Sequence, residues 1–366
     1  MNSRLSHSQV SKYQQCGKSY EFWYIKKIRP TKSRSALLFG SALDRAVGAI
    51  LKPKEGGKSP EELFEYFWRF QDVNGKNTYI PTCTSLVYSK TDFDKDLFTK
   101  EDAEKMERPM EEILAVVEKR ADVGYDNLTL QEKMIANQAF WHCMYHKGMY
   151  MIKAFKEKVL PKLTKVHSTQ EYIELNNDDG DKIIGYIDIV AEVEGHAEPI
   201  VLDLKTSAME YEHDAVLTSP QLTLYTHAVS EKYNTKKAGY IVLNKNLIKN
   251  RKKICSICEH DGSGGRHKTC ANEVNGKRCN GNWIETVNPE VYVQFIIDQI
   301  PEQTESLVLE NIADINAAIK SGHFTRNLSM CTNTYGGLCD YIDLCYRGKM
   351  DNLVQQGEED VAKTYG

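Results

Sequence analysis

The stretch that decides the fold runs from Ile183 to Tyr225 and reads IIGYIDIVAEVEGHAEPIVLDLKTSAMEYEHDAVLTSPQLTLY. Two runs rich in Ile, Val and Leu flank the turn-like segment EGHAEP, and each run carries an aspartate where a core residue is expected. The alternation of residue types predicts two strands joined as a hairpin. Such a hairpin places Asp188 opposite Asp203, with β-carbons roughly 5 Å apart. Because two carboxylates this close repel each other, the pair predicts a bound divalent cation.

The second run continues into a lysine and then a helix. Lys205 shares a strand face with Asp203. Ser219 can cap the following helix, which places Gln221 and Tyr225 one turn apart on one face. A surface hairpin with acids and lysines on its wet side would show a similar pattern. The apolar strands around the acids and the polar pair on the helix favour a metal site instead.

Three motifs in this order resemble a known family: Gly185-x-x-Asp188, then Asp203-Leu204-Lys205, then Gln221-x-x-x-Tyr225. The chain resembles the PD-(D/E)XK nuclease superfamily, and specifically its RecB-type branch of AddB-type, CRISPR-adaptation and phage exonucleases. The resemblance implies an α/β (α+β) fold with a mixed central sheet flanked by helices. The restriction-endonuclease-like core would carry helical and zinc-binding insertions.

The resemblance also implies which residues do the chemistry. The implied catalytic residues are Asp188, Asp203, Lys205, Gln221 and Tyr225. The implied ligands of Mg²⁺ or Mn²⁺ are Asp44, Asp188, Asp203 and the main-chain carbonyl of Leu204. We therefore expect hydrolysis of DNA phosphodiester bonds.

Asp44 departs from the family pattern. Relatives carry a metal-binding histidine four residues after a glycine, and here Asp44 follows Gly40 at that spacing. Gly40 and Gly48 line the same helix face, which would let a backbone or a metal site come close. Aspartate is an oxygen ligand for Mg²⁺ or Mn²⁺, so the substitution alters metal preference rather than excluding activity. Glu171 alternates with apolar residues in a predicted strand and is a further possible ligand.

Ten cysteines in a chain expected to be intracellular favour metal binding over disulfides. One group, Cys255, Cys258, Cys270 and Cys279, lies in a glycine-rich polar segment that cannot bury much of a core. Four thiolates around Zn²⁺ would hold it together, with His267 as an alternative ligand and a disulfide-linked loop as the alternative structure. The basic run 249–253 at its base suggests either a DNA-contacting finger or a purely structural role.

A second group joins the two ends of the chain. Cys16 follows Ser8-x4-Tyr13 within a predicted helix over residues 8–28, and its partners are Cys331, Cys339 and Cys345. This arrangement is similar to the iron–sulfur members of the branch, which implies a [4Fe-4S] cluster. Gly17 and Asp340 stand where relatives usually have proline. Thiolates suit zinc as well as iron, so both metals stay open. Cys83 and Cys143 belong to neither group and are expected in packed helices.

Composition sets the broad class of protein. The chain has 366 residues, 41% hydrophobic and 27% charged, with a net charge of −4, which is ordinary for a globular protein. Local basic clusters in residues 26–34 and 245–253 keep a nucleic-acid substrate possible. No apolar run of about 20 residues and no apolar leader occur, so we expect no membrane contact and a cytoplasmic location, in a bacterial or phage-infected host cell.

The predicted organisation is a single elaborated domain. Residues 286–350 should contain two amphipathic helices, from about Glu290 to Lys320, and then the late cysteines. The segments are 1–54 (N-terminal part of the nuclease domain with the first cluster cysteine), 55–165 (helical insertion), 166–250 (nuclease core), 251–285 (zinc-binding insertion), 286–350 (C-terminal helices and cysteine cluster) and 351–366 (polar tail).

Three functions fit these observations. The leading one is a metal-dependent DNA nuclease, expected to be an exonuclease in recombination, repair or processing, with DNA and a helicase, annealing protein or other recombination partner. The second is a DNA-binding module with a degenerate nuclease site. The third is a metal-stapled scaffold for protein interactions, which predicts neither hydrolysis nor salt-sensitive DNA binding.

Overall fold

The computed structural model describes residues 4–69, 71–73, 76–78, 86–176, 181–262, 268–332 and 338–356. Cys83 and His267 lie outside the described residues. The helices are α1 (His7–Gln15), α2 (Gly17–Tyr20), α3 (Ser35–Leu51), α4 (Pro60–Arg69), α5 (Lys100–Lys105), α6 (Met110–Val123), α7 (Leu130–Ala154), α8 (Pro220–Tyr233), α9 (Glu302–Lys320) and α10 (Ile342–Arg347).

The long strands belong to one sheet and one hairpin. The strands are β1 (Arg4–Ser6), β2 (Ile28–Pro30), β3 (Ser33–Arg34), β4 (Gln71–Val73), β5 (Lys76–Thr78), β6 (Leu86–Val87), β7 (Leu163–Asn176), β8 (Lys182–Val193), β9 (Ile200–Ser207), β10 (Lys237–Asn244), β11 (Ile248–Cys255), β12 (Glu273–Val274), β13 (Lys277–Arg278), β14 (Trp283–Glu290), β15 (Val293–Gln299) and β16 (Leu353–Gln355).

The central sheet has six strands, in the order β1-β8-β9-β10-β15, with β7 on the second edge of β8. β1 runs parallel to β8 and β9 parallel to β10, whereas the β7–β8, β8–β9 and β10–β15 pairs are antiparallel. This is a mixed sheet with helices on both faces, and the predicted fold class is confirmed.

The β8–β9 hairpin has the predicted register. Ile189 pairs with Leu202 and Ala191 with Ile200, but the ladder between the two strands stops there. The same edge of β8 pairs with β1 over residues 182–184. Residues 185–188 of β8 thus face a fork between β9 and β1, and Asp188 lies at its apex.

Two cores hold the helices to the sheet. On one face, buried side chains of α3, α4 and α7 pack against Ile189, Leu202 and Ile241. On the other face, α1, α8 and α9 pack against Ile187 and Val201. Because apolar side chains leave water on both faces, burial of this kind is the main source of stability for both layers. The two cores position the helices that line the fork.

The C-terminal region differs from the prediction of two helices between about Glu290 and Lys320. Its first half is the strand β15, which pairs with β10, and only α9 is helical. The sequence YVQFIID in this segment is rich in β-branched and aromatic residues, which suit a half-buried strand. The free edge of β10 therefore recruits the segment into the sheet.

The predicted helix over residues 8–28 is also interrupted. Cys16 is extended, with φ −168° and ψ 114°, between α1 and α2. Gly17 explains the tight packing there, because a Cβ at this position would lie 3.0 Å from the backbone nitrogen of Thr325. The break turns Cys16 toward the C-terminal segment. The antiparallel pairing of β2 with β16 ties the two ends of the chain together a second time.

Candidate active site

The fork between β8 and β9 brings the two hairpin aspartates into one site. The carboxylate of Asp188 replaces the missing strand pairing, since its Oδ2 accepts a hydrogen bond from the backbone amide of Leu204 at 3.0 Å. The alternation of β8 shifts here, because Ile187 packs into the core beneath α8 whereas Ile189 packs into the core beneath α7. A bend in the strand thus turns Asp188 toward the fork.

The neighbouring strand β7 is irregular at the same level. Thr169 pairs with Ile189 and Glu171 with Ile187, but Gln170 and Asp188 between them make no ladder pair. Gln170 has a positive φ of 50°, which is rare for a residue other than glycine. This conformation releases the Gln170 side chain from the ladder and directs it into the site.

Gln170 links Asp188 to the helical layer. Its Nε2 lies 3.0 and 3.1 Å from the two carboxylate oxygens of Asp44 and 3.3 Å from Oδ1 of Asp188. The sequence analysis missed Gln170, because simple strand alternation selected its neighbour Glu171. No Cβ at Gly40 or Gly48 would meet another atom within 4 Å, so the expected close approach of a backbone to this face of α3 does not occur.

Glu171 lies on the other side of the strand. Its carboxylate binds Nζ of Lys232 at 2.6 Å and the hydroxyl of Tyr233 at 2.6 Å, both on α8. The structure therefore does not bring Glu171 to the other predicted ligands. Its position satisfies the acid locally and attaches α8 to the sheet.

The second arm of the fork carries the lysine. Nζ of Lys205 lies 2.7 Å from Oδ2 of Asp203 and 3.2 Å from Oε1 of Gln221, which in turn donates to the Tyr225 hydroxyl at 3.3 Å. Gly185 is required for this packing, because a Cβ there would lie 2.8 Å from the ring of Tyr225. The structure therefore brings all five predicted catalytic residues to one fork.

The charges of the site are poorly compensated. Burial and the neighbouring Asp188 raise the pKa of Asp44 to about 7. Burial likewise raises the pKa of Asp203 to about 7 against the opposing effect of Lys205, and burial raises the pKa of Asp188. Burial acts to lower the pKa of Lys205, but Asp203 and Asp188 outweigh it and the pKa is raised. Lys205 thus stays charged while the carboxylates lack enough positive charge nearby.

His7 is a second residue that the sequence analysis missed. It begins α1 directly after β1, at the open end of the fork, and is half-buried. Burial and the charge of Lys205 lower the pKa of His7 to about 4. The imidazole is therefore neutral near pH 7, and the sequence signals it only by its place directly before the Ser8-x4-Tyr13-x2-Cys16 pattern.

The donor set fits a hard divalent cation. Asp44, Asp188 and Asp203 offer only oxygen, the ligand type that Mg²⁺ and Mn²⁺ prefer. Oδ2 of Asp203 is buried and receives no hydrogen bond of acceptable geometry, despite its 2.7 Å approach to Lys205. The three carboxylates are not gathered within 4.8 Å of one another, a spacing that a described four-cysteine group does reach. Gln170 instead occupies the space between Asp44 and Asp188.

Comparison with known proteins identifies the family. The family model of the PD-(D/E)XK nuclease superfamily matches residues 4–346. The chain belongs to this superfamily. No curated protein matches it. One similar solved structure, described as the crystal structure of SSO0001, is 13% identical, covers 60% of this chain and 84% of its own, and has a TM-score of 0.24, which adds nothing to the fold assignment.

This superfamily member carries a compact four-cysteine site at the tip of the β11–β14 hairpin. The sulfurs of Cys255, Cys258, Cys270 and Cys279 all lie within 4.8 Å of one another. The closest pairs are Cys255–Cys279 at 3.5 Å and Cys258–Cys270 at 3.6 Å. Tetrahedral zinc, with Zn–S bonds of about 2.3 Å, separates its sulfurs by about 3.8 Å. The group therefore has the dimensions of a mononuclear metal site.

The second cysteine group is more open. Cys16, Cys331, Cys339 and Cys345 line one pocket together with Leu328 and Met330. Their sulfurs do not all lie within 4.8 Å of one another, unlike those of the hairpin group. The nine described cysteines, including Cys143 buried in α7, are all free of disulfides. The structure thus places residues from both ends of the chain around one pocket that the four thiols line.

The basic run beside the hairpin has acidic partners. Nζ of Lys249 lies 2.7 Å from carboxylate oxygens of Asp94 and Asp96, and Arg251 lies 3.0 Å from Asp96. These residues attach β11 to the segment before α5. Lys249 and Arg251 therefore hold the hairpin against this segment and do not form a free basic surface.

One finding concerns membranes. Among the helices in the described part of the chain, none combines the length and the apolar character that crossing a bilayer requires.

Proposed function

We propose that this chain is a metal-dependent deoxyribonuclease, acting as an exonuclease in DNA recombination, repair or processing. Membership of the PD-(D/E)XK nuclease superfamily implies nuclease activity. The observation that carries the proposal is the fork, where buried Asp203 and its neighbour Lys205 on β9 lie close to Asp188 on β8. Gln170 joins Asp188 to Asp44 on α3. Partly neutralised acids beside a charged lysine are suited to holding a cation against a phosphate.

The acids of the fork would hold the cofactor. Asp44, Asp188, Asp203 and the carbonyl of Leu204 would bind Mg²⁺ or Mn²⁺. When bound, such an ion polarises the phosphate and lowers the pKa of water. The Leu204 amide fixes the orientation of Asp188 through its 3.0 Å hydrogen bond. The open face at Gly40 and Gly48 leaves space for a DNA backbone beside Asp44.

Lys205 would act on the substrate. Its ammonium group stays charged because of the two aspartates, and it can stabilise the charge that develops on the phosphate or orient the attacking water. Oε1 of Gln221 accepts a hydrogen bond from the ammonium at 3.2 Å, and Nε2 of the same amide donates to the Tyr225 hydroxyl at 3.3 Å, which orients the amide from α8. Removal of Lys205 is therefore expected to abolish cleavage while the fold is retained.

The decisive experiment compares wild type with Lys205→Ala on end-labelled linear and circular DNA, single- and double-stranded, with Mg²⁺ or Mn²⁺ after anaerobic purification. We expect cleavage to fall by about 100-fold or more, since one transition-state contact typically contributes that much. The matched control is Lys237→Ala on the neighbouring strand, where the lysine pairs with Glu198 at 3.1 Å. Resistance of circular DNA would identify an exonuclease.

The alternatives predict other results. Retained cleavage in Lys205→Ala would contradict the assignment. Inactive wild type that still binds DNA would favour a DNA-binding module with a degenerate site, and would make Asp44 the residue to examine. Inactive wild type without salt-sensitive DNA binding would favour a protein-interaction scaffold.

For the open cysteine group we propose a [4Fe-4S] cluster held by Cys16, Cys331, Cys339 and Cys345, and for the compact group a structural Zn²⁺. The spread of the first group supports a cluster, because several irons occupy more space than one tetrahedral ion.

Thiolate sites need reduced cysteines, which supports a cytoplasmic location in a bacterial or phage-infected cell. The resemblance to recombination nucleases supports a helicase or annealing protein as a partner.

Cys345→Ser tests the cluster. We expect loss of the visible absorbance of the anaerobically purified protein together with a lower melting temperature, because the cluster would tie α1 to the C-terminal segment. Cys143→Ser is the control for the visible absorbance, since Cys143 is remote from both groups in sequence and lies in α7; its melting temperature is not compared, because Cys143 is fully buried in the core. An unchanged visible spectrum in Cys345→Ser, or zinc in place of iron by elemental analysis, would contradict the proposal.

A further inference from the structure

Gln170 lies at an exceptional point of the sheet. The β7–β8 ladder is in register on both sides of it, with Thr169 opposite Ile189 and Glu171 opposite Ile187. Only the Gln170–Asp188 position between them is unpaired, and it carries the positive φ of 50°. The same pair of strands has register shifts between Leu163 and Lys165 and between Val166 and Ser168, but Gln170 combines its missing pair with a positive φ. A backbone held in this region costs free energy, and such strain is concentrated at functional sites. The irregularity directs the Gln170 amide toward Asp44 and Asp188.

The amide group stands between two acids that would bind metal. Nε2 of Gln170 contacts both oxygens of Asp44, at 3.0 and 3.1 Å, and Oδ1 of Asp188 at 3.3 Å. The second oxygen of Asp188 is already used by the Leu204 amide. A hydrogen-bond donor in this place substitutes for the positive charge that the carboxylates lack. It also lies beside the place that a cation shared by Asp44 and Asp188 would take.

We propose that Gln170 is a neutral ligand of the metal site, contributing its amide oxygen when the cation binds. An amide carries a donor and an acceptor on one carbon, and rotation about its last side-chain bond exchanges Nε2 for Oε1. Without metal, the donor faces the carboxylates; with metal, the acceptor faces the ion. Amide oxygens are established ligands of hard cations in proteins.

A neutral ligand fits the charge of this site. Three aspartates share the fork with a single lysine, and burial of Asp44 and Asp203 outweighs the positive charges near them. A fourth carboxylate would increase the repulsion in the metal-free protein, whereas an amide adds an oxygen without charge. The same residue thereby holds Asp44 and Asp188 in place before the ion arrives. This inference rests on the proposed nuclease function, because that function supplies the cation.

The test measures Mn²⁺ binding to the full chain with its cysteine sites loaded, without DNA. Free Mn²⁺ is counted by electron paramagnetic resonance during a titration, and water-proton relaxation counts the waters on the bound ion. Asp188→Asn defines which binding belongs to the fork. The variants are Gln170→Ala and Gln170→Gly, and the glycine tolerates the positive φ if alanine perturbs the fold. Gln14→Ala is the control, because Gln14 lies at the opposite end of α1 from His7 and its amide donates to Asn311 of α9 at 3.0 Å on the exposed surface.

We expect both Gln170 variants to bind Mn²⁺ about 10-fold more weakly or worse, a loss typical of removing a group beside a metal. The bound ion should gain one exchangeable water, which replaces the lost amide oxygen. Gln14→Ala should match wild type in both measurements. Activity is not needed for either readout.

Each contrary result has a separate meaning. Unchanged affinity in both Gln170 variants would overturn the inference while leaving the metal site intact. Weaker affinity with an unchanged number of waters would also overturn it, since Gln170 would then only orient the aspartates. If wild type and Asp188→Asn bind Mn²⁺ equally, or neither binds it, the fork holds no metal. That result would overturn the proposed metal-dependent function itself.

Discussion

The pKa of the buried acid Asp102 is shifted in the opposite direction from the pKa values of the acids at the fork. Asp102 in the helical layer is 2% exposed, as is Asp203 at the fork. Asp102 accepts hydrogen bonds from the Thr99 amide and hydroxyl at 2.8 and 2.7 Å and lies 3.1 and 2.8 Å from ring nitrogens of His142 and His146. Burial acts to raise its pKa, but these partners outweigh burial and hold the pKa far below its usual range.

The fork acids have fewer partners and the opposite shift. Asp44 and Asp203 have pKa values raised to about 7, because burial outweighs the contacts that Gln170 makes to Asp44 and Lys205 makes to Asp203, and because each acid lies near other acids. A satisfied acid stabilises the fold when ionised, whereas an unsatisfied acid destabilises it until a cation arrives. The difference distinguishes an acid that supports the structure from acids kept ready for a ligand.

Replacement of Asp102 should give the largest change in stability. Asp102→Asn leaves one acceptor for three donors, the Thr99 amide and hydroxyl and His146, so we expect a loss on the order of 3 kcal/mol in the free energy of unfolding. The measurement is urea unfolding of the metal-loaded protein near neutral pH. Because the folded pKa of Asp102 is depressed, its contribution is present above the unfolded pKa and is lost as pH falls through the folded pKa.

The pH dependence provides the control for Asp102. The gap in stability between wild type and Asp102→Asn should be constant near neutrality and narrow on acidification below about pH 4. Thr99→Ala should cost less, since it removes one of the donors and leaves the backbone amide. A gap that stays the same in acid would mean that ionisation of Asp102 does not support the fold, and the contrast with the fork would fail.

Replacement of Asp44 should increase the stability of the metal-free protein, whereas replacement of Asp102 decreases it. The folded pKa of Asp44 is raised, so its contribution is present below the unfolded pKa and is lost as pH rises through about 7. Asp44→Asn removes that loss, which amounts to about 1.4 kcal/mol for each pH unit that separates the folded pKa from the unfolded pKa. We therefore expect a higher melting temperature than wild type at pH 8 without metal, with the difference shrinking as the pH falls and vanishing only below about pH 4.

Addition of Mn²⁺ should reverse this order. Wild type gains stability by binding the ion, whereas Asp44→Asn has lost a ligand and gains less. Scanning calorimetry at pH 8, with chelator and then with Mn²⁺, checks both halves. A metal-free Asp44→Asn protein that is less stable than wild type at pH 8 would show that the fork acids are satisfied like Asp102.

The sequence was sufficient for the frame of this site but not for its irregular parts. The register of the hairpin follows from local alternation, and the order of Asp188, Asp203, Lys205 and the α8 pair follows the chain. Gln170 could not be found in this way, because a positive φ within a strand depends on the partner strand and on α3. His7 needed the pairing of β1 with β8, a contact between distant segments.

The same reason explains the other differences. Segment 293–299 reads as a helix or a strand by pattern alone, and the free edge of β10 decides for the strand. Lys249 and Arg251 form a basic run in the sequence, but Asp94 and Asp96 lie opposite them only in the folded chain. The tight Cys255–Cys258 pair, in contrast, brings its ligands together locally, and the geometry of that group agrees with the predicted metal site.

Glu171 should show the smallest effect and the sharpest contrast with its neighbour Gln170. Its carboxylate pairs with Lys232, whose side chain is 59% exposed, and exposed pairs contribute no more than about 1 kcal/mol. Glu171→Gln keeps an acceptor for the Tyr233 hydroxyl, so we expect little change in melting temperature and none in Mn²⁺ affinity. Titration of this variant beside Gln170→Ala compares two adjacent side chains on opposite faces of β7. A 10-fold loss of Mn²⁺ affinity in Glu171→Gln would instead place Glu171 in the metal site. Glu171 would then have to be grouped with the unsatisfied acids of the fork rather than with Asp102.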